Sequence, residues 1–315
     1  MLNRRHLRVK VLQALYAYYQ STDADPSVSE RELFKAVDRI YELYIYLLLT
    51  FEELQRQGER RLEEGKNKMR PTEEDLNPNR KFVDNKIIQI LSEHETLRNY
   101  SEKLKVNWVG DEKQELFRKM YLEIREGETY FEYMNNDAQG FEEDKAFMVA
   151  LFKTDIANYQ LLYNFFEELS IHWLDDIDLA CSMVLKTIKS FEENGSNPIL
   201  PLYKDEEDER AFIRELLRKT IAMDSENEAL IDELTSNWEL DRIARMDIIL
   251  MKMAITELQI FNNIPTKVTL NEYIEISKFY STPKSNGFIN GVLDKAISRL
   301  ESQGMIQKAG RGLKN

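Results

Sequence analysis

The chain of 315 residues is short of turn formers: 11 Gly and 7 Pro serve its whole length. That excludes a many-stranded sheet with tight turns and suits long helices. Cysteine is almost absent. Cys181 stands alone, so no intrachain disulfide can form, and a cytoplasmic setting is expected. The three histidines, His6, His94 and His172, lie far apart without ligand spacing, and there is no CxxC, so no metal centre is expected. Glycine-rich phosphate loops of the GxGxxG or GxxxxGK(S/T) kind are missing too. Long apolar runs are lacking: the longest, around 40–51, includes Glu42 and is too short to span a bilayer. The charges near the start are followed by Tyr16, Tyr18, Tyr19 and Gln20 instead of a signal-peptide core. These absences argue against an enzyme, against a cofactor and against a membrane protein.

Positive charge is also in deficit. With 43 basic and 56 acidic residues the formal net charge is −13, so generic attraction to nucleic acid is not expected of the whole surface. Two short stretches run against this. Residues 1–20 hold Arg4, Arg5, Arg8 and Lys10 with no acid, and residues 302–315 hold Lys308, Arg311 and Lys314, again with no acid.

What is present is helical periodicity, and the reading is all-α. Leu7, Val11, Ala14, Leu15 and Tyr18 predict a first helix over 4–20 with one buried stripe. After Asp25-Pro26, a cap at Ser27 or Ser29 would start a long helix to about Gly65, whose charged end (55–68) is expected to leave the core. A loop at 69–80 precedes helices near 80–105, 111–135, 141–169 and 173–194, and Gly195 to Pro201 is the best boundary in the chain. A shift of 65 residues superposes Phe147 on Phe212, Leu151 on Leu216, Trp173 on Trp238 and Asp176 on Asp241, a weak echo that amphipathic helices also give by chance. Helices follow over 205–223, 226–238, 240–261, 267–280 and 285–302. The helix over 240–261 is apolar all round and must be central, surrounded by the others. Gly291 lies inside the last helix at a cost of about 1 kcal/mol relative to Ala, which close approach of another helix backbone would explain.

Two segments resemble a known family. Arg4-Arg5-His6-Leu7-Arg8 with Leu12-Gln13-Ala14-Leu15-Tyr16 is similar to the arginine-rich first helix of NusB proteins. The stretch from Asp241 to Lys295, with Ile264-Pro265, Lys267-Val268, Asn271-Glu272 and Phe288-Ile289-Asn290-Gly291-Val292-Leu293-Asp294-Lys295, is similar to their C-terminal signature. The resemblance covers about 3–21 and 205–302. It implies a NusB-like helical core made of 1–21 and 205–303, a helical insertion over 22–200 of unknown role, and a basic flexible tail over 304–315.

The resemblance further implies a transcription antitermination factor. Such a protein binds boxA-type single-stranded RNA together with the ribosomal protein NusE, joins the antitermination complex with RNA polymerase and promotes read-through of ribosomal RNA operons. Arg4, Arg5 and Arg8 would contact RNA, since guanidinium groups bind phosphate bidentately and stack on bases; Lys284 and Phe288 would join them. Tyr16, Asp241 and Asp247 would face NusE. An acid such as Asp247, on so apolar a helix, needs a partner or an exit to solvent. The chain departs from the family pattern at His6, Thr266, Lys284 and Ser285-Asn286-Gly287, which shifts the RNA surface. The competing readings are a helical protein scaffold and a ribosome-assembly factor, each with little RNA binding of its own.

Overall fold

The computed structural model describes residues 1–173, 175–235 and 243–308. Among them there is no strand, and 15 α-helices follow one another in the order now given. The first is α1 (Arg4–Gln20), opened by a capping box in which Asn3 accepts the His6 amide and the His6 ring accepts the Asn3 amide. Next comes α2 (Pro26–Lys66), 41 residues and therefore about 60 Å long. Its start is set by Asp25, which accepts the Ser27 amide at 2.7 Å, with Pro26 at the first helical position where its missing N–H costs nothing. The cap is therefore Asp25 and not Ser27 or Ser29.

The next helices are α3 (Glu73–Leu76), α4 (Lys86–Glu93), α5 (Glu95–Leu104), α6 (Asp111–Glu126), α7 (Glu128–Asn135), α8 (Phe141–Leu151), α9 (Gln160–Leu169) and α10 (Ile177–Ser190). Sequence periodicity merges several of these because their breaks carry little composition signal. At His94 the backbone turns extended, and the ring caps α5 by accepting the Leu97 amide, while its Nε2 meets the Asn197 carbonyl at 2.8 Å. Gly127 separates α6 from α7, and a π-helical turn over Phe152–Ile156 follows α8.

The last five are α11 (Glu206–Ala222), α12 (Asp224–Leu234), α13 (Arg245–Ile260), α14 (Thr266–Tyr280) and α15 (Ser285–Ser302). The 65-residue echo finds little support: α11 runs on where the segment after α8 turns π-helical, and Trp238 and Asp241 lie outside the described residues.

The helices form two compact units, one of Met1 with Asp38–Leu202 and one of Leu2–Val37 with Tyr203 onward, so the division falls inside α2. In the first unit α8 packs against α4, α7 and α10. Its core is aromatic. Tyr46 meets Trp108, Phe166 and Trp173 edge-on, Phe166 meets Trp173 likewise, and Tyr133 stacks on Phe147 at 3.7 Å. Tyr46 and Phe166 come from the aromatic-rich segments 41–51 and 159–166. Most of residues 59–68 at the charged end of α2 are exposed, as expected, but two glycines of the 55–68 segment touch neighbours. Gly58 lies against Val83, Phe82 and Tyr121, and Gly65 against Asp75.

In the second unit α13 is the axis, contacting α1, α11, α12, α14 and α15. Every residue from Ile249 to Leu258 is buried, as expected of a helix apolar nearly all round. Three of those residues are polar, and each finds partners on a neighbour. Lys252 pairs with Asp224 and Glu228 of α12, Thr256 accepts from Asn227 of α12, and Glu257 meets α1 and α14. No described helix is long and apolar enough to cross a membrane.

Candidate nucleic-acid interface

Helix α1 buries Leu7, Val11, Leu12 and Leu15 against α11 and α13. That orientation fixes where its three arginines go. Arg8 falls inside the packed face. It is 1% exposed, and its guanidinium grips the Glu257 carboxylate bidentately at 2.8 and 2.7 Å. Thr269 and Tyr273 donate to the same carboxylate at 2.8 and 3.0 Å, so all four lone-pair positions of Glu257 are used. Burial works against the charge on Arg8, but the hydrogen bond and charge of Glu257, with Tyr273 and Glu272, together outweigh it and raise its pKa. Burial, with Glu257 alongside, lifts the Tyr273 phenol well above its ordinary range, so it stays a donor. Arg8 is therefore a core cation that ties α1 to α13 and α14. The expectation that it contacts RNA does not fit this burial.

The other two arginines reach the surface, already paired. Arg5 forms a bidentate pair with Glu272 of α14 at 3.0 and 2.8 Å, and its side chain remains 43% exposed. The bond to Arg5 holds the Glu272 carboxyl below its ordinary value. Arg4 pairs with Asp208 of α11 and lies 4.2 Å over the Phe212 ring. Its Nη1 has no hydrogen-bond partner among the described residues. The acid-free stretch of sequence is thus not acid-free in space, because α11, α13 and α14 each bring one carboxylate to it. Glu257 was open to detection: an acid amid apolar neighbours on a central helix calls for a cation as much as Asp247 does. Asp208 and Glu272 carry no such signal, since exposed helices abound in acids.

The remaining candidates divide between surface and core. Lys284 is exposed just before α15. Phe288, half-buried, lines a shallow cleft of about 210 Å³ with Leu234, Thr235, Gly287, Gly291, Val292 and Lys295. The expected close approach of a helix backbone to Gly291 is not found. A Cβ built there meets nothing within 4 Å among the described residues, and the bare position opens the cleft instead. Helices α1 and α15 both pack on α13 and α14 without comparable packing on each other, so the arginines and Phe288 are brought to common neighbours but not into one cluster.

Tyr16 is 39% exposed. Asp247 is 3% exposed and accepts the Ser281 hydroxyl, which ties the start of α13 to the end of α14. Its partner is internal, and the expectation that it faces NusE does not fit. Asp241 lies outside the described residues, as do Arg311 and Lys314 of the expected tail. Lys308 is not loose: it donates to the Phe261 carbonyl at 2.9 Å, and burial lowers its pKa. Among the described residues no group of His, Cys, Asp and Glu is arranged to hold a metal.

A helical core centred on α13, with basic side chains on its first helix, belongs to the class of all-α helical bundles. Comparison with known proteins narrows this class. The NusB family model matches residues 179–298, from within α10 to near the end of α15. The match starts upstream of residue 205, taking in α10, and leaves out α1. A relative from Salinibacter ruber, transcription antitermination protein NusB, is 38% identical over 141 residues, covering 42% of this chain and 88% of that protein. Proteins of the same name from Natranaerobius thermophilus and Chloroherpeton thalassium are 32% and 41% identical, with 80% and 48% of their lengths covered. No solved structure matches the chain. The chain belongs to the NusB family.

Proposed function

We propose that the protein is a transcription antitermination factor that binds boxA-type single-stranded RNA jointly with NusE, within the antitermination complex of RNA polymerase, and so promotes read-through of ribosomal RNA operons. The observation that carries this reading is the match over 88% of the length of a relative named for transcription antitermination. The structure supports a smaller RNA contact than three arginines would make. Arg4 and Arg5 sit in partly exposed ion pairs, each worth about 0–1 kcal/mol, so exchanging a carboxylate for a phosphate costs little. Arg8 would lose a buried pair, and it stays inside. Two phosphate contacts to single-stranded RNA give a salt slope of about −1.4, which is weak binding for a chain of formal charge −13. The partner therefore completes the site, with exposed Tyr16 on its side and Lys284 and Phe288 extending the RNA surface.

Titrating boxA-like RNA with and without NusE tests the joint site. Affinity is expected to rise with NusE, and equal affinities would overturn it. One observation favours a second reading, a helical scaffold or ribosome-assembly factor: all three arginines of α1 already have carboxylate partners. Failure of RNA to crosslink to residues 4–5, with proteins still copurifying, would decide for that reading.

A further inference from the structure

The first unit holds an open groove of about 650 Å³ between the end of α2, α3, α6 and α7. All of its lining residues precede the family match, which starts at residue 179. Two arginines line it, Arg61 from α2 and Arg125 from α6. Both act on one point: each favours the ionised form of the buried Tyr121 hydroxyl, against the burial that disfavours it. Like charges converging this way repel, and a protein with 56 acids has ample means to neutralise them.

It does not do so here. Among the described residues neither Arg61 nor Arg125 has an ion pair or hydrogen bond, although Glu64 and Glu74 also line the groove. The nearby Asp75 is already taken. Lys68 lies 2.7 Å from it, and that bond together with the Thr72 amide holds its carboxyl down at about 2. Gly65 of α2 shapes the floor, since a Cβ there would collide with Asp75.

The other wall is aromatic. Phe131 of α7 is 63% exposed, an unusual position for a large apolar ring, and Met134 lies a turn away on the same wall. Asn77 adds an exposed amide. Two guanidiniums without a direct ion-pair partner, beside an exposed ring and an amide, form a set suited to one kind of ligand. Phosphate meets the arginines, a planar base stacks on the ring, and the base edge meets the amide. An acidic peptide would satisfy the arginines and leave Phe131 unused.

We propose that this groove binds a nucleotide unit, phosphate on Arg61 and Arg125 and base on Phe131, supplied by single-stranded RNA or by a free nucleotide. The site is independent of α1, so it stands or falls apart from the reading given above.

The test uses the full chain carrying Arg4→Ala and Arg5→Ala, which silences the first helix. Fluorescence anisotropy with a labelled uridine octamer reads binding, and unlabelled octamer, uridine monophosphate, inorganic phosphate and polyglutamate serve as competitors. Phe131→Ala, at an exposed position, is expected to weaken octamer binding about tenfold. Arg61→Gln with Arg125→Gln should weaken it further and flatten its salt dependence. Photocrosslinking of the octamer should label the peptide containing α7. Stronger competition by the octamer than by the monophosphate assigns the site to RNA, and equal competition assigns it to free nucleotides. Unchanged binding when Phe131→Ala, Arg61→Gln and Arg125→Gln are combined, or better competition by polyglutamate than by either nucleotide, would overturn the proposal.

Discussion

Arg8 and Arg4 are four residues apart on one helix yet differ in what their removal should cost. Arg8→Ala leaves Glu257 charged, buried and short of its bidentate donor, and the expected loss is about 3–5 kcal/mol in chemical denaturation. Arg4→Ala removes a pair whose carboxylate is 58% exposed, and the loss should stay below about 1 kcal/mol. Equal losses would contradict the burial that separates them. Glu272 supplies a pH dependence. Its folded carboxyl sits below the ordinary value, so its contribution is fully present above the unfolded pKa and fades as pH falls through the folded one. Stability measured down through pH 4.5 should therefore fall less steeply in Glu272→Gln than in the parent protein. Cys181 is mostly enclosed, and burial pushes its thiol up to about 12. A thiol reagent at pH 8 should label it slowly until denaturant is added.

Two helices invite the same substitution with opposite results. Gly58 of α2 has Val83 Cγ1 only 2.8 Å from where a Cβ would stand. Ala there gains helix propensity of about 1 kcal/mol but overpacks a filled core at a cost of about 1–3 kcal/mol, so Gly58→Ala should lower the melting temperature. Gly291 of α15 meets only open space among the described residues, and Gly291→Ala should raise stability by up to about 1 kcal/mol. A fall at Gly291 would mean that something does press on that face. The periodicity of α13 announces its central place, yet its polar residues decide what it joins: Lys252 and Thr256 reach α12, Glu257 reaches α1 and α14, and Asp247 holds the end of α14. Helix positions were legible because 3.6-residue periodicity is local. The breaks at His94 and Gly127 were not, because His94 becomes a cap through its own side chain and through Asn197, about a hundred residues away.

At the scale of the whole molecule, charge and partnership set what RNA binding can look like. A chain of formal charge −13 with two exchangeable arginines should bind boxA-like RNA with a shallow salt dependence, and Arg4→Ala with Arg5→Ala should flatten it further. A slope as steep as that of six phosphate contacts would place the RNA elsewhere. The family match spans the last helices and reaches back only to residue 179, while the first unit has an aromatic core and an arginine-bearing groove of its own.

The residues alone determined that the chain is helical, that one helix near 240–261 is central, and that its two ends carry a family signature. All of these rest on periodicity and on short runs of neighbours. Which arginine faces outward was decided only in three dimensions. The acids that claim Arg4, Arg5 and Arg8 stand some two hundred residues and more away, and packing of α1 on α11, α13 and α14 brings them within bonding distance. Side-chain spacing along α1 states that Arg8 lies near the apolar stripe, but the cost of burying a charge is met only when a carboxylate from elsewhere arrives with it.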